Sequence, residues 1–369
     1  MRISRIAQVG AVAAIAALAL AGCAANEGGS TTPSESAGPA ISGEIAGGGA
    51  TSQEVAVQTW TAGVQEANPD VTITYDPAGS GAGRDSFIAG AIQFAGSDRA
   101  FKSDEIADST FAACVEGTDI VELPLYISPI AVIFNLDGVD SLDLDAETLA
   151  KIFAGEITTW NDPAIADQNP DATLPATAIT PVVRSDKSGT TGNFTDYLSA
   201  NAESIWTFGS VEEWPATAVT PESAQGTSGV VAAVEGGQGT IGYADASRAG
   251  DLGTVAIKVG DEYVAYSPEG AAKAADVSTM EEGRGAGDLA IKIDRTTTEA
   301  GAYPLILISY SIACEQYNDA AVAPVVKAYL SYAASAEGQD AAAAAAGSAP
   351  ISDALREQIT AAIDLIVTD

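Results

Sequence analysis

The chain contains no histidine in its 369 residues. That removes Ser-His-Asp and Cys-His catalysis together with the commonest metal ligand. Cysteine is nearly as scarce, at three, and the spacing carries no zinc signature. Basic residues are few as well. Sixteen Lys and Arg against 50 Asp and Glu leave a net charge of −34, which argues against duplex or single-stranded nucleic acid as a partner. There is no long apolar run, because the uncharged stretch Val9 to Leu20 is too short to span a bilayer. Nucleotide signatures are also missing. No G-x-x-x-x-G-K-[ST] occurs, and Gly79-Ser80-Gly81-Ala82-Gly83 does not keep the G-x-G-x-x-G spacing.

The N-terminus reads as an export signal. Arg2 and Arg5 form a positive start, the apolar run follows, and Leu20-Ala21-Gly22-Cys23 resembles a bacterial lipobox. That resemblance implies cleavage before Cys23 and lipid on its sulfur, with an ordinary secreted protein as the alternative. Residues 1–22 are then a signal peptide, and 23–41 hold the lipidated cysteine and a flexible tether. The protein is expected outside the cytoplasm, tethered to the membrane and not spanning it. Removing 22 of 369 residues leaves 347, enough for two domains, and 47% hydrophobic content marks them as globular. Only Cys114 and Cys314 remain beyond Cys23. In an exported chain they point to one disulfide rather than a reactive pair, with a free buried pair left open.

Along the chain a β–turn–α pattern repeats. Ser42 to Ala50 reads as a strand running into glycine, and Thr51 to Glu54 opens a helix with Trp60 and Val64 on its face. Pro69 ends it, and Val71 to Tyr75 alternates as a strand. A helix through Phe87 to Ile92 and a short strand from Phe94 follow. Further strands are expected at Ile130–Asn135, at Gly239–Ala244 and at Tyr303–Tyr310. Helices are expected at 146–154 and 229–234, with two Ala-rich helices at the C-terminus. Glycine and hydroxyl residues recur at the carboxyl ends of the strands, where open α/β sheets bind ligands.

Arg184-Ser185-Asp186-Lys187-Ser188-Gly189-Thr190-Thr191 concentrates the signal. It joins the apolar run Ile179–Val183 to a helix carrying Phe194, Tyr197 and Leu198 on one face. A helix start offers unpaired N–H groups and a partial positive charge, both suited to an anion. Arg184 would add a planar donor fork. The plainer alternative is that Ser188 caps the helix and Arg184 pairs with Asp186. The acidic surface opposes long-range attraction of an anion. Salt screens distant charges within about 10 Å, so this bears on association rate more than on affinity.

Several segments, taken in order, match one family. They are Gly49-Ala50-Thr51, Gly79-Ser80, Phe94-Ala95-Gly96-Ser97-Asp98, Ile152 to Asp162, Arg184 to Thr190, and Gly239 to Tyr243. From about residue 42 to its end the chain resembles the PstS family, the phosphate-binding lipoproteins of bacterial phosphate ABC transporters. The resemblance implies an α/β, two-lobed periplasmic-binding-protein (Venus-flytrap) fold, each lobe a mixed sheet flanked by helices, joined by two crossover hinge strands. Lobe I would comprise 42–126 plus 301–369, and lobe II 127–300. Cys114 and Cys314 would then share lobe I, where a disulfide would tie its two halves together.

By motif position, phosphate would be bound by Thr51, Ser52, Ser80, Asp98, Arg184, Ser188, Gly189 and Thr190, with Asp186 holding Arg184. The family usually has an aromatic where Ser52 stands. A carboxylate at Asp98 makes sense beside an anion only if the ligand carries a proton that it can accept. Hydrogen phosphate does, and sulfate at neutral pH does not. The plainer role for Asp98 is a salt bridge to Arg99. The implied function is an extracytoplasmic phosphate receptor delivering to an ABC import permease, discriminating against sulfate, with no cofactor, no metal and no enzymatic step. The alternatives are a phosphate-ester hydrolase and a surface phosphate sensor or adhesin without transport.

Overall fold

Glycine-bounded, β-branched strands alternate with short amphipathic helices from the first described residue onward. The computed structural model describes residues 41–368, so the expected signal peptide, most of the tether and Cys23 lie outside them. β1 (Gly43–Gly49) leads to α1 (Glu54–Ala67), β2 (Val71–Asp76) to α2 (Ser80–Ile88), and β3 (Phe94–Ser97) to α3 (Ser103–Asp108). α1 buries Trp60, whose indole N–H donates to Gly338 O at 2.9 Å. Its loss to alanine would cost about 3–5 kcal/mol. α2 stops at Ile88, short of the expected Ile92, because the chain turns at Gly90 with φ +71°.

The next strand is longer than its sequence suggests. β4 (Ile120–Asn135) runs 16 residues through Pro124 and Pro129, and all but its last residue are buried. Only its last third, Ile130–Asn135, was legible as strand. Proline removes a ladder donor, so each one needs a break in the pairing. Both have one. Pro124 sits beside a bulge that leaves Leu125 without an opposite residue, and Pro129 is the last β4 residue paired to one partner before Ile130 begins pairing to another.

β5 (Ser141–Leu144), α4 (Ala146–Ala154) and α5 (Pro163–Ala166) come next. They precede β6 (Thr180–Arg184), α6 (Gly189–Asn201), β7 (Glu222–Ala224), α7 (Gly226–Gly236) and β8 (Thr240–Asp245). β9 (Gly253–Val259), β10 (Glu262–Val264), α8 (Pro268–Asp276), β11 (Thr279–Met280) and β12 (Ile291–Lys292) lead to β13 (Ile306–Cys314). β13 starts three residues later and ends four residues later than the apolar run alone indicates, because its pairing with β3 and β4 continues to the cysteine.

Three C-terminal helices follow, not two: α9 (Ala323–Ala334), α10 (Ala336–Ala346) and α11 (Asp353–Ile363). Ser335 separates the first pair, with extended backbone and a hydroxyl that accepts Gly338 N–H.

The main sheet has the order β2-β1-β3-β13-β4-β8-β6-β7, with β9, β5 and β10 attached to the far part of β4. β1, β2 and β3 are parallel, as are β6, β7 and β8, while β13 runs antiparallel between β3 and β4. β4 therefore belongs to two sheet regions. Nine of its first ten residues pair with β13, and its last six with β8. Cys114 and Cys314 form a disulfide with Cα atoms 5.4 Å apart, joining chain segments 200 residues apart. Among the described residues no helix is long and apolar enough to cross a membrane, and no cluster of acidic or cysteine side chains could hold a metal.

Candidate functional site

Both parallel triplets point their carboxyl ends into one gap, which brings together the turns at Thr51, Ser80, Asp98, Ser188 and Gly226. Each turn does what its residues dictate. Ser188 has extended backbone and caps α6 by accepting Thr191 N–H at 3.1 Å. The amides of Gly189 and Thr190 lie in the first turn of α6, where a helix offers them no acceptor. Gly189 must be glycine for the two sides to meet. A Cβ there would fall 2.5 Å from Ser80 Oγ and 2.6 Å from Asp98 Cβ.

Asp98 is the centre of this arrangement and is 2% exposed. Its Oδ1 accepts from Ser52 Oγ at 2.5 Å and its Oδ2 from Thr190 Oγ1 at 3.1 Å. Its own N–H donates to Ser80 Oγ at 3.1 Å, and Asn193 Nδ2 donates to its carbonyl at 2.7 Å. Burial pushes the Asp98 carboxyl above its usual range. The Ser52, Ser309 and Thr190 hydroxyls and the charge of Arg184 pull the other way without cancelling it. Asp98 makes no ion pair with Arg99, which goes to Glu105 and Glu212.

Arg184 is buried at the end of β6 and donates through Nε and Nη2 to Asp186. The two plainer readings, Ser188 as cap and Arg184 paired to Asp186, are thus part of the site and do not compete with it. Asp186 also accepts Gly226 N–H at 3.0 Å, so the loop before α7 is fixed to the same carboxylate. Burial opposes its ionisation, but the Arg184 guanidinium outweighs that and holds the Asp186 carboxyl below its ordinary value. That fork leaves Nη1 of Arg184 outside the pairing with Asp186.

All eight candidate residues lie in this one region, and every side chain among them is buried. Three further participants escaped sequence reading. Thr227 Oγ1 lies 2.9 Å from Thr51 Oγ1, and its N–H donates to that hydroxyl at 3.1 Å. The hydroxyl just after Gly226 at a helix start was a usable signal, being the pattern seen at Gly79-Ser80 and Gly189-Thr190. Asn193 and Glu212 gave none, because their partners are 95 and 113 to 128 residues away. Arg84 and Arg99 both approach the gap, and both are bound to Glu212.

A buried hydroxyl-lined gap with three helix starts, one arginine and one carboxylate suits a small, partly protonated oxyanion. Comparison with known proteins points the same way. The PBP superfamily domain matches residues 34–337. Phosphate-binding protein PstS 3 of Mycobacterium tuberculosis is 34% identical over 343 residues, covering 89% of this chain and 90% of that protein. PstS 2 of the same organism is 32% identical over 357 residues, covering 92% and 94%. Among solved structures, the periplasmic phosphate-binding protein PfluDING with phosphate bound is similar at a TM-score of 0.67 and 23% identity. The match covers 86% of this chain and 93% of that one, and at such identity it speaks for the two-lobed fold. With a domain match over most of its length and relatives above 30% identity across nine-tenths of it, the chain belongs to the PstS family of phosphate-binding proteins.

Proposed function

We propose that this protein is an extracytoplasmic receptor for inorganic phosphate that closes on its ligand and delivers it to an ABC import permease. Its place is the outer face of the cell membrane, held by lipid on Cys23. The lobes are residues 42–126 with 301–369, and 127–300, hinged where β4 changes partners and where the chain enters β13. Thr51, Ser52, Ser80, Arg184, Ser188, Gly189 and Thr190 hold the anion, with Asp186 orienting Arg184. In this reading the site binds its ligand and releases it unchanged.

The observation that carries this reading is Asp98. A buried carboxylate amid anion-binding groups would repel a fully ionised ligand. It becomes favourable toward a ligand hydroxyl, where it accepts the proton that hydrogen phosphate carries. Hydroxyl and amide donors from Ser80, Ser188, Gly189 and Thr190 then disperse the remaining charge. Titration calorimetry of the full chain, stripped of bound anion, tests it. Phosphate and arsenate should bind and sulfate should not. A folded protein that binds no phosphate would refute the assignment.

A further inference from the structure

Glu212 lies on the loop after α6 and reaches across the gap to two arginines of the other lobe. Arg84 Nη2 donates to Glu212 Oε1 at 2.9 Å and Oε2 at 2.7 Å, and Arg99 Nη2 to Oε2 at 3.0 Å. Neither arginine is loose. Arg84 Nη1 is held by Ser97 Oγ at 2.7 Å, and Arg99 forks onto Glu105 at 2.6 and 2.8 Å. The loop is equally well fixed to the start of α6. Ser188 N–H donates to Glu212 O at 3.0 Å, and Val211 N–H donates to Thr195 Oγ1 at 2.9 Å. A pull on the Glu212 carboxylate is therefore a pull on the α6 start, where Gly189 and Thr190 meet Asp98. Burial works against ionisation at Glu212, but Arg84 and Arg99 outweigh it and hold the carboxyl below its usual value.

We propose that Glu212 is a closure latch: its carboxylate ties Arg84 and Arg99 to the α6 start and so sets how long the closed state, and the anion in it, persists. The anion's identity rests on the phosphate-receptor reading; the latch itself does not. Glu212 touches no ligand-binding group through its side chain. It acts by position, and it also neutralises arginine charge that would otherwise draw anions indiscriminately to the gap. An interaction made only after the lobes meet slows dissociation and leaves association nearly unchanged.

Closure has its own reporters. Gly81 N–H donates to Lys187 O at 3.0 Å, and Thr227 N–H to Thr51 Oγ1. Both amides lie in the first turn of a helix, where no intrahelical acceptor exists, so their protection from exchange comes from across the gap. The test is E212Q in the full chain, with R99Q as a second, milder variant. In E212Q, stopped-flow phosphate dissociation should be roughly 10- to 100-fold faster. Association should change less than about 3-fold. Exchange at Gly81 and Thr227 should accelerate while β13 amides stay protected, which separates unlatching from unfolding.

Unchanged exchange at both amides would overturn the latch, as would unchanged dissociation in a protein that binds phosphate. If wild type binds no phosphate, the receptor reading falls, and the exchange comparison still decides the latch. R99Q should shift the same readings in the same direction by a smaller factor, and a shift in β13 amides instead would refute it.

Discussion

Replacing Asp98 by asparagine is the most informative single change. The backbone contacts of residue 98 to Ser80 and Asn193 do not involve the side chain and should persist. Asparagine Oδ1 can still accept from one of Ser52 or Thr190, but the other carboxylate oxygen becomes an NH2 donor. A ligand hydroxyl then loses a charged acceptor worth about 1.5–3 kcal/mol, or roughly 10- to 100-fold in phosphate affinity. Sulfate, which brings only acceptors, gains a donor and loses a repulsive charge, so its binding should strengthen.

The unliganded protein should respond in the opposite sense. Because burial raises the Asp98 pKa, the folded state holds that proton more tightly than the unfolded chain does. The stability it brings is complete below the usual carboxylate value of 3.8 and is lost as pH rises through the elevated folded value. D98N does not titrate there. It should therefore melt above wild type at neutral pH, with the gap closing toward pH 3. Calorimetric titration with phosphate and sulfate, and melting from pH 3 to 8, check both halves. Equal losses for phosphate and sulfate, or a lower melting point for the ligand-free variant at neutral pH, would refute the role assigned to Asp98.

Other perturbations have clear expected outcomes. G189A puts a methyl within 2.6 Å of both Ser80 and Asp98, so phosphate binding should fall by more than about 100-fold while circular dichroism is unchanged. R184K replaces a fork on Asp186 with a point charge and should weaken phosphate binding by roughly 10- to 100-fold in the same titration. C114S/C314S opens a cross-link between segments 200 residues apart, worth at most about 5 kcal/mol in chain entropy, and should lower Tm by roughly 7 °C. Asp245, buried at the end of β8 and accepting Tyr126 O–H, has its carboxyl raised to about 6 by burial. D245N should flatten the loss of stability that wild type shows as pH rises from 4 to above 6, read from denaturant midpoints at each pH.

The parts of this fold that were legible are those written in local pattern. β1, α1, β2 and β3 follow from alternation, glycine and helical spacing within single stretches of 4 to 14 residues. The turn from Arg184 to Thr190 was legible because cap, fork and glycine are contiguous. β4 was legible only from Ile130 onward, since Pro124 and Pro129 are compatible with a buried strand only if a bulge and a change of partner excuse their missing N–H groups. Both depend on β13, almost two hundred residues later. Glu212 looked like any acidic loop residue, and nothing near it in the chain announces Arg84 and Arg99. Asp98 was expected from family resemblance alone, because the Ser52 and Thr190 hydroxyls that donate to it come from 46 and 92 residues away.

The position of β13 between β3 and β4 has a consequence for biogenesis. Until residue 306 has been exported, β3 and the first part of β4 each present an unsatisfied edge of backbone N–H and C=O groups. The β2-β1-β3-β13-β4 part of the sheet therefore closes only when about the last sixth of the polypeptide arrives. A chain truncated before that point is a pair of sticky edges rather than a smaller receptor, and folding requires the early strands to stay apart from their neighbours until β13 arrives.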